Sequence, residues 1–174
     1  MSTTAAHAEP MPRPEVSLPR RGVVGWIVTV LNILSAASSS HFFLSVLGVG
    51  VWGWLMMNSC APSIALFAAG FLLARPTLMV AGAVMMFRYG TLGLFFFGWE
   101  GPNLVAQAGH VLMTLAVLYV ATDVVRRRRL RELGLGLALG LAVLVPYMVA
   151  QHLYFQAHPG LLEQLFSGVY AMGD

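Results

Sequence analysis

Asn103, Gln107, His110 and Thr114 recur at spacings of four, three and four residues. On an α-helix that spacing gathers them on one stripe. Within the stripe, the imidazole is the group that can carry a proton or ligate a metal, and the amides and hydroxyl can hold it in one orientation. His152 falls in a later apolar run. Two imidazoles facing each other at similar depth can clamp a haem iron. Two overlapping candidate sites follow. A cofactor site, for haem b or a quinone-linked group, would use His110, His152, Arg88 and Gln107. A metal site would use His41, Glu100, His110 and His152. The plainer expectation for the stripe is interhelical hydrogen bonding.

Arg88 stands in the middle of the apolar run from Thr77 to Gly98. An arginine at the centre of a bilayer is costly unless it snorkels or finds partners. Glu100 lies twelve residues on, and Asp123 falls at the far end of the next run. No acid therefore shares its depth. An arginine with only neutral groups such as Gln107 or His110 in reach suits an anionic ligand or a quinone carbonyl. A water- or carbonyl-bonded structural arginine is the alternative.

Other patterns carry less. Met56, Met57 and Cys60 form a soft-ligand cluster of the kind that holds copper(I), though packing explains methionines in an apolar chain equally well. Cys60 is the single cysteine, so no intramolecular disulfide can form. Gly48, Gly50 and Gly53 have dinucleotide-loop spacing but sit in an apolar run without a preceding strand, so close helix packing is the expected use. Gly136 and Gly140 form a small-xxx-small pair suited to helix contact or dimerisation. No nucleophile elbow, phosphate loop or paired carboxylates occur, so hydrolase and ATPase chemistry is unsupported.

The elements that must position these groups follow from composition. Hydrophobic residues make up 58% of the 174 and charged residues 10%, with a mean hydropathy of +0.76. Soluble domains carry about a quarter charged residues. The balance excludes a lone soluble domain or a disordered chain and predicts an all-α, polytopic membrane bundle of about five transmembrane helices. Residues 1–21 form a polar, Pro-rich tail, 22–158 the transmembrane domain and 159–174 an amphipathic tail. Arg20-Arg21 before Val23–Leu34 resembles a secretory signal with cleavage near Ala37, but an uncleaved first span is expected.

Three spans are clear: Thr77–Gly98, Asn103–Thr122 and Leu133 to about Gln156, the last kinked at Pro146. Between Gly22 and Ala74, breaks are expected at Ser38–His41 and at Asn58–Ser63. They leave three short pieces: Val23–Ala37, Phe42–Met57 and Ile64–Ala74. The tail arginines and the cluster Arg126–Arg129 with Arg131 should both face the cytoplasm. An even number of crossings then separates them, so one short piece does not cross. The preferred arrangement pairs Val23–Ala37 with Phe42–Met57 and makes Ile64–Ala74 an interfacial or re-entrant segment at the inner face, which puts Cys60 on the cytoplasmic side. The rival lays Val23–Ala37 in the interface and puts Cys60 outside. Both give a cytoplasmic N-terminus and an outer C-terminal amphipathic helix, with Leu161, Leu165, Phe166 and Val169 on one face.

The Arg cluster lies between apolar runs and reads as an anchor beside anionic lipid, so no nucleic-acid partner is expected. All ten basic residues are Arg. The expected location is the bacterial cytoplasmic (inner) membrane. Three function classes remain. The first is an accessory or structural subunit, partnered by the lipid bilayer and by other membrane subunits or copies of itself. The second is a haem- or quinone-linked electron-transfer subunit using His110 and His152. The third is a small-solute transporter, against which the lack of internal repeats counts. The first is the preferred expectation.

Overall fold

The computed structural model describes residues 22–96, 98–101, 103–161 and 163. Among these every regular element is helical. Helix α1 covers Val23–His41 and continues through a π-helical turn, Phe42–Val46. Helix α2 (Val51–Met57) and helix α3 (Cys60–Leu72) meet at a bend of 81°. Helix α4 (Pro76–Met86) runs into a second π-helical turn, Phe87–Thr91, and the short α5, Gly93–Phe96. Helices α6 (Asn103–Arg126) and α7 (Leu130–Ala157) complete the bundle.

The bundle is inside-out relative to a soluble protein. Helix α1 buries Gly25, Thr29 and Asn32 and exposes Trp26, Ile27, Val30 and Leu34. Helix α7 buries Gly136, Gly140 and Leu144 while most of its leucines and valines face out. Small and polar residues at helix contacts, with large apolar ones outside, is the pattern of helices packed in lipid. In water, that much exposed apolar surface would drive aggregation. Val23–Val46, Pro76–Phe96, Asn103–Arg126 and Leu130–Ala157 are each long and apolar enough to cross a membrane.

The core lies between α3, α4 and α6, where Ile64, Phe67, Val80, Met86, Met113 and Ala116 are buried. Glycines set the approach of the helices. A Cβ on Gly82 would lie 2.5 Å from the backbone nitrogen of Phe67, and one on Gly70 would collide with the backbone of Leu78 and Met79. Gly136 and Gly140 rest on Val80 and Val84 of α4. Their small-xxx-small face is therefore used within the chain.

Helix contacts order the ends of the bundle. Gly25 of α1 meets Phe71 of α3 and Tyr119 of α6, and Gly136 of α7 meets Thr77 of α4. That end carries Arg75, Arg126–Arg129 and Arg131. At the opposite end Gly53 of α2 approaches Tyr154 of α7, and Gly93 meets His110. The loops there, 47–50 and 98–101, hold no arginine and one acid, Glu100. The bent α2–α3 pair thus starts at the arginine-free end and finishes at the arginine-rich one. Among the described residues four helices are long and apolar enough to cross a membrane, and the spans number five if the bent pair counts as one.

Three expectations need correcting. Ser38–His41 does not break α1, because the serines find partners on neighbouring elements. The break falls at Leu47–Gly50, where Gly48 takes a φ of +64° that glycine adopts without strain. A Cβ on Gly48 or Gly50 would meet nothing within 4 Å, so these glycines serve the turn and not helix packing. Of the two expectations for Ile64–Ala74, an interfacial position does not fit: most of it lies in α3, whose Ile64, Phe67 and Phe71 are buried, while its 81° bend against α2 fits either a broken span or a re-entrant segment. The expected bundle of about five spans agrees with four long apolar helices plus the bent α2–α3 pair. The Arg75-Pro76 break is as read: Arg75 is extended and Pro76 opens α4. Helix α7 runs through Pro146 as one helix. The amphipathic tail reading lies, apart from Leu161 and Glu163, outside the described residues, as does the 1–21 tail.

Candidate functional site

Polar groups gather in two interior layers. The first joins α6 to the α4–α5 segment. Gln107 is fully buried and His110 is 7% exposed, so the stripe faces other helices. Gln107 donates from Nε2 to the Leu94 carbonyl at 3.4 Å, and its Oε1 lies 3.2 Å from Nδ1 of His110. The His110 ring lies flat on Gly93, where an added Cβ would sit 2.8–3.0 Å from Cε1, Nδ1 and Nε2. Thr114 donates to the His110 carbonyl at 2.9 Å, and its oxygen lies 3.1 Å from that of Thr91. Asn103 opens the helix on the same stripe.

The second layer seals the α2–α3 break. Ending a helix inside a membrane strands backbone carbonyls that need donors. Helix α7 supplies them. Tyr147 donates its hydroxyl to the Leu55 carbonyl. Gln151 donates from Nε2 to the Met56 carbonyl and to Ser59 Oγ, both at 2.6 Å. Its Oε1 accepts from the Tyr89 hydroxyl at 2.9 Å. Helix α1 holds the other side. Asn58 donates to Ser39 Oγ at 3.1 Å, and the Trp54 indole donates to Ser40 Oγ at 3.1 Å. One amide on α7 therefore ties together the end of α2, the cap of α3 and the π-helical turn after α4.

The sequence reading missed this layer. Tyr89, Tyr147 and Gln151 are single polar groups in long apolar runs, with no periodic partner on their own helix. The legible signal was Asn58-Ser59, a break whose stranded carbonyls require donors elsewhere. Asn32 was missed for the same reason. It is fully buried and donates to the carbonyls of Val28 and Leu112, which fastens α1 to α6.

The expected site residues are distributed over both layers and the surface. Gln107 and His110 come together. Arg88 is not hydrogen-bonded to either; its guanidinium carbon lies 5.7 Å from the centroid of the Tyr89 ring, beside the second layer. His152 is exposed on α7, next to the inward Gln151. His41 and Glu100 are exposed as well. Among the described residues no three His, Cys, Asp or Glu side chains group to hold a metal ion. The set His41, Glu100, His110 and His152 is thus not gathered into a metal centre: His110 is buried, and the other three are exposed. A cavity of about 340 Å³ between α1, α2 and α3 is lined by Ile33, Ala36, Ala37 and Pro62, with Ser40 and Trp54 at its polar edge. Those two bond to each other, so the cavity offers a polar ligand little.

Fold and interior together define a membrane-embedded helical bundle. No family model, curated protein or solved structure matches the chain.

Proposed function

We propose that the protein is a small accessory or structural subunit of a larger membrane assembly. One observation carries this reading: the interior amides Asn32, Asn58, Gln107 and Gln151 each bond to a neighbouring helix. Groups spent on joining helices stabilise a scaffold. Short loops and glycine-spaced helices support the same reading.

Purification from native membranes in mild detergent, followed by native mass spectrometry and an absorption spectrum, tests it. The expected result is a complex with other membrane polypeptides in fixed ratio. A monomer with stoichiometric haem and a Soret band would replace this reading with electron transfer.

The same proposal orients the chain. The arginine-rich end faces the cytoplasm of a bacterial inner membrane, by the positive-inside bias. In a Cys60→Ser background, Gly50→Cys should react with an impermeant maleimide on intact cells. Arg75→Cys should react only after permeabilisation. The reverse pattern would invert the orientation.

A further inference from the structure

We infer that Arg88 is the docking point for a transmembrane helix of another polypeptide, one that carries a carboxylate at the same depth. This rests on the subunit reading above and names the chemistry of the contact.

Charge carries the argument. No Asp or Glu occurs from Gly22 to Trp99. Of the acids among the described residues, Asp123 is paired with Arg127 at 2.6 Å. Glu100 is in the loop beyond the span, Glu132 is in the first turn of α7, and Glu163 lies past its end. Arg88 is half-buried, and its neighbour Phe87 is 50% exposed, so the patch opens toward the surrounding membrane. The Tyr89 ring beside the guanidinium is a weak partner for a cation at that depth. Its hydroxyl is already committed to Gln151.

Depth selects the occupant. Arg88 is twelve residues from Pro76, about 18 Å along the helix, and eight from Phe96, about 12 Å. A headgroup phosphate lies beyond that nearer end, so snorkelling toward it must span the 12 Å or thin the bilayer. A carboxylate on an adjacent helix meets the guanidinium in place. A second copy of this chain brings another Arg88 and no acid at that level, so like charges oppose self-association here. The π-helical turn Phe87–Thr91 adds support. Such turns re-aim side chains within a helix and concentrate at functional positions.

The test places a photoreactive phenylalanine at Phe87 and, separately, at Ile27 on the exposed face of α1, in native membranes. Adducts are sequenced by mass spectrometry. The Phe87 probe should yield a membrane-spanning peptide containing Asp or Glu. Arg88→Glu should lower that yield about tenfold, and changing the partner's acid to Arg should restore it. Restoration guards against a variant that simply misfolds. Adducts only with phospholipid, with a second copy or with the chain's own residues 164–174 would overturn the inference. So would a yield indifferent to Arg88→Glu. If protein adducts arise at Ile27 but not Phe87, the docking point is wrong and the subunit reading stands. If both probes give lipid alone and the chain isolates as a monomer, both fail.

Discussion

Gly82→Val should leave little folded protein in detergent. A side chain at Gly82 would press on the backbone nitrogen and Cα of Phe67, at 2.5 and 2.7 Å from its Cβ. Backbone cannot rotate aside as a flexible side chain can, so α3 and α4 must separate. Separation also opens the core around Phe67 and Met86, both fully buried. Overpacking of a close contact costs about 1–3 kcal/mol, and here lost core packing adds to it. The expected total exceeds about 3 kcal/mol, a large part of the stability of a small domain. Gly134→Ala is the matched control. Nothing lies within 4 Å of its added Cβ, and alanine favours the helix by about 0.5–1 kcal/mol. Unfolding followed by circular dichroism in mixed micelles should separate the two. Equal stability of Gly82→Val and the parent would show that the α3–α4 contact does not set the bundle.

How far the sequence discloses this molecule depends on the kind of signal. Charge and hydropathy act over whole helices, so the last three spans are legible to within about four residues at each end and the Arg75-Pro76 turn to the residue. The inward stripe from Asn103 to Thr114 is legible because its members lie on one helix at helical spacing. The first half misleads for a physical reason. Ser38-Ser39-Ser40-His41 reads as a loop in isolation, but hydroxyls inside a helix can remain there when they gain partners. Ser39 and Ser40 gain Asn58 and Trp54 across the interface. A short apolar piece such as Ile64–Ala74 reads as too short to cross, since nothing local shows that it pairs with α2 through an 81° bend. His110 and His152 read as a pair on depth alone. Depth says nothing about the face of the helix, and Gln151, one residue before His152, takes the inward position.

That inward position makes Gln151→Leu the most informative single change at the α2–α3 bend. Leucine keeps the volume and removes both ends of the amide. The Met56 carbonyl and Ser59 Oγ lose a donor held at 2.6 Å, and the Tyr89 hydroxyl loses its acceptor at 2.9 Å. Hydrogen bonds between membrane helices are worth about 0.6 kcal/mol on average and up to about 1.7. The cost rises where a stranded carbonyl has no water to turn to. Three losses at one junction should destabilise by about 2–3 kcal/mol. Tyr147→Phe, which strands the Leu55 carbonyl alone, should cost about 1 kcal/mol. Cys60 reports on the same event, because it opens α3 beside Ser59 and is only partly exposed. If α7 seals the junction, a small thiol reagent should reach Cys60 faster in Gln151→Leu than in the parent, with Tyr147→Phe between them. Should Gln151→Leu unfold within about 0.5 kcal/mol of the parent, with unchanged thiol reactivity, the break must be satisfied without α7.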